Sequence, residues 1–241
     1  MKQFLLHDVR LSQYFIIIFS LAVVIEVLLP NTKFDPGALT LFSVNSFLYG
    51  FYIAPILSTQ KARIEELHRI VRLEANAIFA MVLLVKPLPK TLRNSIQGMF
   101  IDYVDSLVKH RSPEASEKLY ERLISFCIEY KGSHKDDIDK LLEKLVANQI
   151  NRTNFTMQRA NRVYSNEWVI MLVLFSITAF FVAVMDAGHG LGYQLLAALL
   201  LTGLSMLMVI LIKFSTLSHK KAKEIWNPYK KLMESHFYRI D

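Results

Sequence analysis

Four stretches of the chain, residues 12–29, 38–57, 168–185 and 193–212, are almost continuously apolar and hold one charged residue between them, Glu26. Each is 18–20 residues long. A bilayer core of about 30 Å is crossed by roughly 20 helical residues. Barrel strands are about half that length and alternate in polarity, so the pattern predicts four transmembrane α-helices. The first stretch ends at Pro30, and Pro36-Gly37 opens the second. The first lacks a small-x-small cleavage pattern and reads as a retained span rather than a removed leader.

Residues 58–166 follow another rhythm. Ile64, Leu67, Ile70, Val71, Ile78 and Met81 recur at three- and four-residue spacing, with Glu65, Glu66, Arg69 and Arg72 between them. That is an amphipathic helix, and no turn signal separates it from the second apolar stretch, so one long helix is expected to run through both. It should stop at Pro87 and Pro89. Further helices are predicted over 90–109, from Ser112-Pro113-Glu114 to about Tyr130 before Gly132, and over 136–162. In the last of these Ile138, Leu141, Leu142, Leu145 and Ile150 supply the expected buried face. The tail after Lys213 is expected to be helical with a break at Asn227-Pro228. No strand pattern and no internal repeat is found, so the fold class is all-α.

The distribution of charge orients this plan. Of 28 Lys and Arg residues, 18 lie within 61–162, seven within 213–239 and two before the first span, while the short links 31–37 and 186–192 hold only Lys33. Positive residues gather on the cytoplasmic side. Both termini and the long middle block are therefore expected in the cytoplasm of a multi-pass protein of a bacterial-type plasma membrane, with Trp168 and Tyr193 at the interfaces. The resulting division is 1–57 for the N-terminal segment and first two spans, 58–166 for a cytoplasmic helical domain, 167–213 for the last two spans and 214–241 for a basic tail. The net charge of +7 follows from this topology. No nucleic-acid-binding motif accompanies it, and nucleic acid is not an expected partner.

Candidate chemistry is sparse. Cys127 is the only cysteine, which excludes an intramolecular disulfide and a thiolate cage; it reads as a small buried residue. The seven histidines, His7, His68, His110, His134, His189, His219 and His236, never pair at i, i+4. His134 with Asp136, Asp137 and Asp139 lacks the glycine and glutamate of a calcium loop and reads as a helix start. Gly188-His189-Gly190-Leu191-Gly192 reads as a turn. No enzyme, metal or cofactor is expected.

Polar groups within the spans are more informative, because they line pathways or join helices. The second span is the most polar, with Thr40, Ser43, Asn45, Ser46, Tyr49 and Tyr52; Asn45, Tyr49 and Tyr52 share one face. Phe42, Asn45, Ser46, Tyr49 and Tyr52 are thus pore-lining candidates, the alternative being contacts that hold the bundle together. Phe42 and Phe47 are candidates for an apolar constriction. Glu26, near the outer end of the first span, is either interfacial or a pore-mouth residue. Ser176, Thr178, Thr202, Gly203 and Ser205 suit close packing of the third and fourth spans, which are expected to form an outer shell around the second.

Arg63, then Arg72-Leu73-Glu74-Ala75-Asn76-Ala77-Ile78, then Leu88-Pro89, Arg93 and Tyr103 form a pattern that resembles the bestrophin-like family of membrane proteins. Arg159 and Arg162 before Trp168, and Asn227-Pro228 in the basic tail, extend the resemblance over most of the chain. It implies a homopentameric ion channel with the second span lining the pore and the cytoplasmic helices forming a vestibule. Arg72 and Glu74 become vestibule candidates, pairing across subunits or, alternatively, along one helix. The bestrophin pore signature of bulky apolar residues is not found at matching positions, so gate residues do not carry over. The expected function is passive ion conduction by an oligomer in the lipid bilayer; the alternative is a non-conducting anchor whose cytoplasmic helices bind a partner.

Overall fold

The computed structural model describes residues 9–29, 32–186, 191–219, 222 and 224–235. Pro30, Asn31, most of the Gly-rich turn before Leu191, and His7, His189 and His236 lie outside the described residues. Eight α-helices occur among the described residues: α1 Leu11–Leu28, α2 Pro36–Val85, α3 Lys90–His110, α4 Glu117–Glu129, α5 Lys135–Ala160, α6 Ser165–Val184, α7 Leu191–Ser215 and α8 Asn227–Glu234. Short 3-10 turns, Glu114–Ser116 and Glu224–Trp226, precede α4 and α8. The described chain contains no strand, and the all-α expectation holds.

The helix ends follow from local chemistry. Asp35 Oδ1 accepts a hydrogen bond from the Ala38 N–H at 2.6 Å, and Pro36 opens α2, where its missing N–H has no intrahelical use. Glu167 reaches back to the Tyr164 N–H at 2.9 Å to start α6. As expected, α2 continues unbroken from the apolar stretch to Val85, through Pro55. Pro228 does not break a helix. It stands in the first turn of α8, the position where proline is favoured.

The chain forms two compact units, Met1–Ala62 with Arg162–Lys220, and Arg63–Asn161 with Lys221–Asp241. In the first, four helices are long and apolar enough to cross a membrane. Thr32 joins the two inter-helix links of this unit: its N–H donates to Val184 O at 2.8 Å and its carbonyl accepts from Asp186 N–H at 3.0 Å. At the other helix ends, Lys213 Nζ donates to Val9 O at 2.7 Å and lies 4.9 Å from the Tyr14 ring centre. The links thus share one end of the unit, as an up-and-down bundle requires.

Two apolar clusters hold this bundle. One gathers Tyr49, Ile53, Val163, Met171, Met208 and Leu211; the other gathers Ala22, Val182, Ala197, Ala198 and Leu201. Small residues let α1 approach α7 closely. The hydroxyls of Thr178 and Thr202 are buried and satisfied by carbonyls one turn back, at Leu174 and Ala198. Within the unit α7 is the most enclosed of the four apolar helices. Its alanines and Thr202 explain this, since a helix with little side-chain bulk can be surrounded.

The second unit is built like a soluble domain. All six apolar residues expected on the inner face of α2, from Ile64 to Met81, are buried. Ile96, Phe100 and Val104 of α3, Leu123 of α4, Ile138, Leu141 and Leu145 of α5 and Leu232 of α8 are buried in the same unit. Ile150 is a correction: it is 66% exposed. The buried row of α5 runs Leu141, Leu145, Asn148, Arg152, Phe155, which turns Ile150 outward. Arg63 is buried and caps α5, donating from Nε to Gln158 O at 2.9 Å and from Nη2 to Arg159 O at 3.2 Å; a cation suits the negative end of a helix dipole.

Candidate functional site

The polar face of α2 is turned into its own bundle. Asn45 Nδ2 donates to Leu174 O at 3.0 Å and to Thr178 Oγ1 at 2.8 Å, both on α6. Tyr49 is 1% exposed, and its hydroxyl donates to Leu204 O of α7 at 3.2 Å. Tyr52 packs half-buried against the cluster around Ile53. Phe42 leans on Phe181, ring centres 5.6 Å apart, and Ser46 Oγ is buried without a partner. Of the two readings open for Asn45 and Tyr49, this geometry favours contacts between helices. Asn45→Val is expected to lower thermal stability in detergent by about 1 kcal/mol and Tyr49→Phe by less, the usual range for hydrogen bonds between spans. Equal or raised melting midpoints would refute these roles.

The opposite face of α2 is exposed among the described residues of the unit. Leu41, Val44, Phe47, Leu48 and Phe51 are exposed, with Phe47 and Phe51 each at 69%. Their rings stack, centres 6.0 Å apart. Thr40 and Ser43 share this exposure and return their hydroxyls to Pro36 O and Leu39 O. Of the two constriction candidates, only Phe47 is available to another chain.

Glu26 is 5% exposed and one of its carboxylate oxygens is buried without a hydrogen-bond donor. With Ala22 it forms the buried side of α1.

In the second unit Arg72 and Glu74 point apart. Arg72 is exposed and donates to His68 O at 3.3 Å on its own helix. Glu74 is fully buried. The Tyr103 hydroxyl of α3 donates to Glu74 Oε1 at 2.5 Å, and the Tyr229 hydroxyl of α8 donates to Oε2 at 2.6 Å. This overturns both the intrahelical pair and a place for Glu74 on an open wall. Arg152 lies in the same interior, its guanidinium 4.0 Å from the Tyr120 ring centre and 5.6 Å from that of Tyr103. It binds Glu117 of α4 through Nη2 at 2.5 Å and Gln149 through Nη1 at 2.9 Å. The Tyr120 hydroxyl in turn donates to Leu145 O at 2.7 Å and accepts from Asn148 at 3.2 Å.

Burial pushes the Glu74 carboxyl above its ordinary range, and the two phenol hydrogen bonds and the Arg152 charge offset this only in part. Burial, then the neighbouring Glu74 charge, likewise raises Tyr103 and Tyr229. Burial also pushes the Cys127 thiol up to about 11, consistent with an inert core residue.

Comparison with known proteins finds no matching family model, no matching curated protein and no matching solved structure.

No three His, Cys, Asp or Glu side chains are placed to hold a metal ion among the described residues. The tyrosine–carboxylate–arginine interior is where reading the sequence fell short. Sequence pattern points to Tyr103 but not to Tyr120, Tyr229, Glu117 or Arg152. Arg152 stands on the row of α5 at positions 141, 145, 148, 152 and 155, which is buried, and a charge on such a row signals a paired side chain.

Proposed function

We propose that this chain is a bestrophin-like homo-oligomeric ion channel, most simply a pentamer, in which α2 lines the pore. Bilayer insertion is supported by the outer surface of the first unit, where Ile16, Ile17, Leu21, Val27 and Leu28 of α1 and Leu172 and Phe180 of α6 are exposed apolar side chains. Soluble surfaces do not sustain such patches. The observation that carries the pore assignment is the unpartnered face of α2. Because Asn45 and Tyr49 are engaged inside the protomer, the residues that would meet around an axis are Thr40, Ser43, Val44, Phe47 and Phe51. Stacked rings of phenylalanine from several copies would make an apolar constriction that gates by dewetting.

Counting subunits in nanodiscs and recording currents from the same preparation tests this. A ring of protomers is expected, with Phe47→Ala, Phe51→Ala protein passing several-fold larger currents than the parent. A monomer, or a double variant whose currents match the parent's, would reject the pore assignment.

One observation favours the second reading, a non-conducting scaffold. On α5, Val146, Ile150 and Met157 are each more than half exposed and lie on one helical face. In the channel reading such a row meets a neighbouring copy; in the scaffold reading it meets another protein. The subunit count separates the two.

A further inference from the structure

The second unit contains a cavity of about 380 Å³ between the later half of α2 and α8. Its volume lies at the small end of ligand pockets. Arg72, Asn76 and Phe79 enter it from one face of α2; Asn227, Lys231 and Leu232 enter it from α8. No acidic residue lines it. Neither Arg72 nor Lys231 forms an ion pair among the described residues, although other cations of this unit do: Arg69 with Glu66, Lys109 with Asp105, Lys135 with Asp139 and Arg159 with Glu114. Two positive side chains without an acid therefore face one space, with two amides and an apolar wall.

The two walls are fixed before any ligand arrives. Glu74, two residues from Arg72, receives the hydrogen bond of Tyr229, two residues from Asn227 and Lys231, at 2.6 Å. That buried bond joins α2 and α8, the two helices that wall the cavity, so little ordering is left for binding to supply. The contents of the walls select the ligand. A guanidinium and an ammonium together suit a doubly charged phosphate, which accepts the guanidinium fork and a point charge at once. Phe79 and Leu232 offer nothing to a bare anion but cover a small apolar substituent.

We propose that this cavity is a binding site for a phosphate monoester carrying a small apolar group, held by Arg72 and Lys231 and covered by Phe79 and Leu232. The site goes beyond conduction and does not depend on it. Such a ligand bridges α2, the helix whose first half bears the unpartnered face, to the C-terminal helix. The same chemistry is offered by a soluble ester and by the headgroup of phosphatidic acid.

Phenyl phosphate is the probe. The chain has two tryptophans, and Trp168→Phe leaves Trp226, next to pocket residue Asn227, as the sole indole reporter. Full-length Trp168→Phe protein in detergent is expected to show a saturable fluorescence change with half-saturation below about 1 mM. Phenol and inorganic phosphate should each bind at least about tenfold more weakly, since each lacks one half of the recognition. Arg72→Met with Lys231→Met, both at exposed positions, should weaken phenyl phosphate by about tenfold or more while leaving helicity and melting midpoint in place. No saturable response, or one that the folded double variant retains, overturns the proposal. A repeat in nanodiscs assigns the source. Undiminished titration in the presence of phosphatidic acid supports a soluble ester, and competition that disappears in phosphatidylcholine alone supports the headgroup; loss of titration in both overturns the site.

Discussion

Replacing Glu74 with alanine is expected to destabilise the second unit by about 3 kcal/mol or more, because the change leaves two buried phenol hydroxyls without acceptors at about 1–3 kcal/mol each. Tyr103 and Tyr229 are fully or almost fully buried, so water does not replace the lost carboxylate. Tyr103→Phe and Tyr229→Phe each remove one donor from a group that keeps the other, and should cost about 1 kcal/mol apiece. Denaturant unfolding of the full chain in detergent, followed by helicity, measures the series. An alanine variant no weaker than either phenylalanine variant would mean that the carboxylate does not join α2, α3 and α8.

The same group gives stability a pH dependence of fixed sign. Glu74 is shifted upward from its ordinary value of 4.5, chiefly by burial. The native state therefore holds this proton more tightly than the unfolded chain does. Its contribution is complete below about 4.5 and is lost as pH rises from there through the native value. Glu74→Gln keeps a polar side chain of the same shape and removes the titration. The melting midpoint of the parent is expected to fall relative to that of Glu74→Gln as pH is raised through this window. Parallel curves would show that Glu74 does not titrate differently in the two states.

The backbone plan was largely legible because length and period carry it. Runs of 18–20 apolar residues leave little choice but a helix long enough to span a bilayer, and the three- and four-residue spacing from Ile64 to Met81 marks the buried face of α2. The direction of the polar residues was not legible in the same way. Asn45, Tyr49 and Tyr52 share a face whatever that face meets, and only the positions of Leu174, Thr178 and Leu204 decide that it meets α6 and α7. Sequence spacing fixes an angle around one helix and says nothing of which neighbour stands at that angle. Candidates chosen for polarity accordingly lie inside the helix bundle, while the exposed face of α2 carries Phe47 and Phe51.

Glu74 was misplaced for a related reason. Arg72 and Glu74 are separated by one residue in a stretch of mixed polarity, and residues two apart on a helix point to different sides. Arg72 reaches solvent and the cavity beside α8, and Glu74 reaches the core. The partners that make burial tolerable come from α3 and from α8, 29 and 155 residues away along the chain, and no local pattern announces them. The tail read as a basic segment thereby becomes part of the second unit's interior, with Ile225, Trp226, Tyr229 and Leu232 all buried.

Arg152 carries the second large effect, and its variants separate packing from charge. Its side chain is 2% exposed, whereas its partner Glu117 is 43% exposed. Removing the guanidinium thus releases Glu117 to water rather than stranding a buried carboxylate. Arg152→Ala should still cost about 3 kcal/mol, through the cavity left between Tyr103 and Tyr120 and the lost cation–π contact. Arg152→Met fills most of that volume and should cost nearer 1 kcal/mol, as well-packed apolar replacements of buried charges generally do. If the two variants unfold alike, charge rather than packing holds this interior together. The Arg152 charge is also one of the influences that restrain Glu74. Without it the Glu74 carboxyl moves further upward, and the pH-dependent loss of stability in Arg152→Met should extend to higher pH than in the parent. Adding Glu74→Gln to Arg152→Met should abolish that extension, a non-additive result expected only of groups that share one buried network.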